Sequence, residues 1–150
     1  MSSETTASSS SDAAPLAPNA DRHAGFSARC DAIEESYEFM LAYAAQGVAS
    51  EQGSAAGSQI REFLGKCDRA LTGLVESLNH SIQRLDAPSA APYDAFVRVV
   101  ESDVQRAQAA VRLVLAQPSI SSMLVDNLNA STHLRAVLTD LFLLDEVLKK

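Results

Sequence analysis

Tryptophan is absent from this chain, and its 150 residues include only five phenylalanines and three tyrosines. The apolar 47% is carried largely by Ala and Leu, two residues that favour helix over strand. Cysteine is scarce as well. Cys30 and Cys67 form no CxxC pair, and neither has a histidine within a helical turn, so spacing gives no support for a redox or metal role. On antiparallel helices the two would be offset by roughly 10 Å along the axis, beyond the ~7 Å Cα limit for a disulfide. Both are read as buried free thiols acting as small hydrophobes.

Basic residues are the minority charge, twelve Lys and Arg against nineteen Asp and Glu, for a net charge of −7. An acidic surface repels phosphate backbones, and no local basic patch offsets it, so nucleic acid is not an expected partner. Lys149 and Lys150 complement the negative end of a C-terminal helix. Long hydrophobic runs are missing too. The densest patch, Leu141–Leu144, is bounded by Asp140 and Asp145, and nothing approaches the ~20 apolar residues of a bilayer span. Met1–Ala14 carries neither the basic start nor the apolar stretch of a secretory signal, so a cytoplasmic location is expected. There is no Gly-x-Ser-x-Gly, no glycine-rich phosphate loop, and no base evident beside either cysteine. No catalytic residue, cofactor or metal site is assigned.

What the chain does have is an apolar seam that returns every three or four residues. Phe26, Cys30, Ile33, Tyr37, Met40 and Ala44 form one run; Ile60, Leu64, Cys67, Leu71, Leu74, Leu78 and Leu85 form another. A period near 3.5 puts each run on one side of an α-helix. Residues 1–24, rich in Ser, Thr, Ala and Pro, cannot bury enough surface to offset their ordering entropy and are expected to be a disordered tail ahead of a helical domain over 25–150. The tail is a solubilising extension or a phosphorylated or receptor-read segment.

The first helix is predicted over Phe26–Gln46, with Gly47 as its stop. Residues 48–57 read as a flexible loop. The second is predicted from Ser58, as N-cap, to Leu85. Gly65 and Gly73 lie inside it, tolerated at the surface or marking the close approach of a neighbouring helix. Residues 86–92 form a stiff linker, and Pro92 suits the first turn of a third helix. That helix separates Tyr93, Phe96, Val97, Val100, Val104, Ala107, Val111, Val114 and Leu115 from Asp94, Arg98, Glu101, Gln105 and Arg112, with Gln108 at the border.

Pro118 is expected to break the chain. A continuous helix over 92–149 would be about 85 Å long, too long to pack on the first two helices without a second copy. The fourth helix is then predicted over Ser119–Leu148, with Ile120, Met123, Leu124, Leu128, Leu134, Leu138, Leu141 and Phe142 as its stripe. Its last turns are apolar nearly all round, which calls for cover on more than one side. Four such helices with short connections pack most simply as an up-down-up-down bundle.

Polar residues interrupt the fourth helix. Asn127, Ser131 and Asp145 fall within its apolar face at ~100° per residue, with Arg135 nearer the edge. Buried without partners they would cost kilocalories. A neighbouring helix, water, a subunit interface or a small-molecule pocket must satisfy them. The first helix carries Asp31, Glu34, Glu35 and Glu38 outside its seam, a solvated face or a docking surface for a basic partner. Di-iron bundles use Glu-x-x-His pairs, and no Glu here has a His three residues later.

His23 falls in the tail, and His133 falls on a polar stripe with Asp126, Asn129 and Asp140. His80 points away from its seam, between Glu76 and Arg84. An exposed His on a bundle helix is how phosphotransfer domains present their acceptor, but of their typical following residues only an apolar one at +2, Ile82, is present. The expected function is a non-enzymatic interaction module, an adaptor, chaperone or regulatory or accessory subunit, that presents helix faces to another protein or to a second copy in a homodimer. The alternatives are phosphotransfer through His80 and small-molecule binding near Asn127.

Overall fold

A computed structural model describes the backbone of residues 18–53, 55–83 and 91–148, with side chains from residue 25 onward. Among these residues the chain is all-helical, in six helices: α1 (Pro18–Ala45), α2 (Ala55–Leu71), α3 (Leu74–Gln83), α4 (Ala91–Leu115), α5 (Ser122–Ala130) and α6 (His133–Leu148). The count differs from the four expected because the second and fourth predicted helices are each broken in two. Helix α1 begins at Pro18 rather than Phe26, a proline in the first turn needing no N–H partner. Residues 1–17 of the expected tail, and Lys149 and Lys150, lie outside the described residues.

The second helix breaks at Thr72–Gly73. Gly73 takes a left-handed φ of +84°, which lacks a steric penalty only for glycine. The break leaves carbonyls at the end of α2, and Arg29 of α1 caps them. Its Nη1 donates to the Arg69 carbonyl at 3.0 Å and the Thr72 carbonyl at 2.6 Å. The guanidinium lies 3.2 Å from where a Cβ on residue 73 would stand, so Gly73 also answers the expectation of a close approach. Gly65 does not, because its nearest neighbour is Arg69 of its own helix. Ser58 is not the N-cap: the helix starts earlier, and its Oγ donates to the Ala55 carbonyl at 2.8 Å.

Pro118 does end α4. The exposed carbonyls of that end are taken by Arg61 of α2, which donates to the Leu115 carbonyl at 3.0 Å and the Gln117 carbonyl at 2.7 Å. The same guanidinium holds Glu51 through both carboxylate oxygens, each at 2.7 Å. One side chain thereby fixes the α1–α2 and α4–α5 connections together. Ser121 caps α5 by accepting from the Leu124 N–H. Ser122 ties that end to α1, its Oγ donating to the Tyr43 carbonyl at 2.6 Å and accepting from the Val48 N–H at 2.9 Å.

The fourth helix breaks again at Ser131–Thr132, where Thr132 has φ +64°. This break resets the helical phase, and the predicted stripe fails around it. Met123 is 74% and Phe142 54% exposed, while Val125 and Val137 are buried.

The backbones of α1 and α4 do not approach each other closely; each packs against α2, α3, α5 and α6. Phe39 stacks on Phe63 with centroids 4.2 Å apart, Glu35 pairs with Lys66, and Arg29 meets Thr72, so α2 runs antiparallel to α1. The core joins Ile33, Met40, Ile60, Leu64, Leu74, Val100, Val111, Val125 and Val137. Cys67 is buried, Cys30 is half-buried, and neither is in a disulfide.

Candidate functional site: a groove between α1 and α6

Helix α6 runs back along α1, and its apolar stripe docks beside the α1 seam. Leu138 and Leu141 are buried at the base of the contact. Above them a groove follows the two helices. One section is lined by Glu34, Tyr37, Glu38 and Leu41 of α1 and by Arg135, Leu138, Thr139 and Phe142 of α6. The other is lined by Phe26, Ser27, Cys30, Asp31 and Glu34 together with Leu141, Phe142, Asp145 and Leu148. Glu34 and Phe142 belong to both sections, so the groove is continuous past them. Its lip is apolar and open to water, with Phe142 54% and Leu41 46% exposed.

Five residues singled out from the sequence for two separate reasons meet here. Asp31, Glu34 and Glu38 come from the acidic face of α1, and Arg135 and Asp145 from the interrupted face of α6. Glu35 is on the far side of α1, paired with Lys66 of α2. Two expectations of burial are corrected, because the break at Thr132 rotates α5 relative to α6. Asn127 is exposed on α5 and Asp145 on α6; Arg135, expected nearer the edge of the face, is exposed as well. Ser131 is half-buried and satisfied locally, its Oγ donating to the Leu128 carbonyl at 2.6 Å.

The electrostatics of the groove are one-sided. The Glu34 carboxyl is pushed above its ordinary range, first by partial burial and then by Asp31, Glu38 and Asp145. Burial pushes the Cys30 thiol up to about 12, with Glu34, Asp31 and Asp145 adding to the shift. Burial likewise pushes Cys67 up to about 12, with Asp68 adding to it. Both stay protonated near neutral pH and make poor nucleophiles. Among the described residues, no group of three or more His, Cys, Asp or Glu is placed to hold a metal ion, and no helix is long and apolar enough to cross a membrane.

His80 lies half-buried on α3. Its Nε2 is 3.7 Å from Glu76 Oε1, and its Nδ1 is buried with no hydrogen-bond partner. One ring nitrogen is thus shielded and the other faces a carboxylate, which would repel an incoming phosphoryl group. Away from the groove, Asp140 of α6 faces Asp103 of α4. The Asp140 carboxyl is raised to about 7 by burial, by a hydrogen bond to Asp103 and by that residue's charge. Neither the exposed lip residue Leu41 nor the pairing of Asp103 with Asp140 stood out in the sequence. The signal for Phe142 was there, in the all-round apolar character of the last turns of α6.

Comparison with known proteins finds no matching family model, no similar curated protein and no similar solved structure.

Proposed function

We propose that this chain is a non-enzymatic protein–protein interaction module, an adaptor, chaperone or regulatory subunit working in the cytoplasm, and that its working surface is the α1/α6 groove. In this reading the scaffold is an up-down-up-down bundle of four rods, two of them broken. The observation that carries the proposal is the exposed apolar lip, Phe142 and Leu41, over a groove that gathers charged residues from two helices. Large aromatic and aliphatic side chains held at the surface beside a concave apolar strip mark a contact site. The groove is open along its length, whereas small-molecule sites enclose most of their ligand. Asn127 is itself exposed rather than lining an interior, and no observation favours phosphotransfer through His80.

Photocrosslinking in the native host tests this. A crosslinking residue at position 142 is expected to give an adduct with another protein, and Leu41→Glu in the same chain is expected to abolish it. The same residue at Leu113, exposed on α4, serves as control. Adducts equal at both positions, or none at 142, would remove the groove as the working surface.

A further inference from the structure

We infer that the groove's occupant is an amphipathic helix of a partner protein with Lys or Arg along the edge of its apolar face. This rests on reading the groove as a docking site and specifies what docks there. From Phe26 to Leu41 the groove follows about 22 Å of helix at ~1.5 Å per residue, the length of a partner helix of about 15 residues. Its floor and lip, Leu138, Leu141, Phe142 and Leu41, offer an apolar strip of the kind that takes anchors at i, i+3, i+4 and i+7.

Charge selects among occupants of that shape. Among the described residues, Asp31, Glu34, Glu38 and Asp145 line the groove together with one guanidinium, Arg135 at the far end. The repulsion Glu34 feels from its acidic neighbours is relieved when cations enter. A second copy of this chain fits poorly. A two-fold axis through the groove would set its acidic rim against itself, on a molecule already at −7. An anionic lipid surface is disfavoured by the same charge. Residues 1–17 bring Leu16 and Met1 as their large apolar side chains and carry no Lys or Arg, so the chain's own N-terminal segment has neither the anchors nor the cations.

Selection from a displayed library of helical peptides, run on the full chain, tests the inference. Apolar anchors are kept at helical spacing, and the flanking positions vary among Lys, Arg, Glu, Asp and Ser. Enrichment of Lys and Arg at the flanks is expected. Double charge reversal, Glu34→Lys with Glu38→Lys, is expected to weaken a selected peptide at least about tenfold at low salt and much less at high salt. Leu41→Glu with Phe142→Glu should abolish its binding.

Neutral or acidic flanks, with binding still lost in the Leu41/Phe142 variant, would overturn the basic-helix inference and leave the groove reading standing. Peptides indifferent to the Leu41/Phe142 variant would overturn both. A dimer of the unmodified chain dissolved by Phe142→Glu would overturn the basic-helix inference alone and assign the groove to a second copy. Circular dichroism of each variant, matching the unmodified chain, separates lost binding from lost fold.

Discussion

Asp140 sits on α6 opposite Asp103 of α4, with its Oδ2 buried and no donor to satisfy it. Two carboxyls share a hydrogen bond only if one keeps its proton, and that requirement, after burial itself, lifts Asp140 from an ordinary 3.8 to about 7. Arg106 reaches Asp103 at 3.7 Å and offsets little of the repulsion. The folded state therefore binds a proton that the unfolded chain releases. This contribution to stability is complete below about pH 4 and is lost as pH rises through about 7. Asp140→Asn can donate to Asp103 at any pH. It is expected to stabilise the chain at pH 8 by about 1 kcal/mol, after discounting for solvent around a half-exposed pair, and to make no difference at pH 4. Thermal unfolding at the two pH values checks this; equal effects at both would mean that the pair holds no extra proton. Nothing in the sequence pointed to these two residues as a pair, because they are 37 positions apart and meet only through the packing of α4 on α6.

At the scale of elements, the two helix breaks differ in kind. The break at Gly73 uses the residue suited to a positive φ and is capped from outside by Arg29. The break at Thr132 puts a β-branched residue at φ +64°, where its side chain crowds the backbone. Thr132→Gly is expected to stabilise the chain by about 1 kcal/mol, the relieved strain exceeding the entropy that glycine adds to the unfolded state. Chemical denaturation would show it as a higher midpoint at unchanged slope. A lower midpoint would mean that the Thr132 side chain makes contacts worth more than the strain. Gly73 is visible in the sequence as a glycine inside a predicted helix, which fits either surface tolerance or a close approach, but not as a helix end. Thr132 itself gave no signal, but the six-residue step from Leu128 to Leu134 did: at ~100° per residue it puts Leu134 about 120° away from the face that Leu124 and Leu128 share. Helix α4 came out as expected because its valines and alanines repeat without interruption and proline stands at both ends.

For the molecule as a whole, the seam residues of the described helices cover one another within a single chain, so no second copy is needed to shield them. The seam that might have been shared in a homodimer is spent inside the fold. Asn127, which on a seam would have fixed pairing register, is exposed. Asn127→Leu is therefore expected to shift stability by less than about 0.5 kcal/mol, as surface substitutions do, and to leave the solution mass unchanged. A broadened mass distribution by light scattering would restore the pairing role. Among the described residues, α6 leaves Phe142, Leu143 and Val147 exposed, the last two one turn apart, while α4 exposes Val99 and Leu113 and α5 exposes Met123.

Composition and periodicity determined on their own that the chain is helical, where α4 runs, that both cysteines are unpaired, and that one side of α1 is acidic. These are local properties, set by neighbours a turn apart along one helix. Only the tertiary structure decided that α6 lies against that acidic side and so makes a groove of it. The phase of α6 is set at Thr132 by a backbone turn, which the apolar pattern marks only as a six-residue step between Leu128 and Leu134 and whose direction that step does not fix. A rotation at that point decides whether Phe142 enters the core or stands at the edge of the groove.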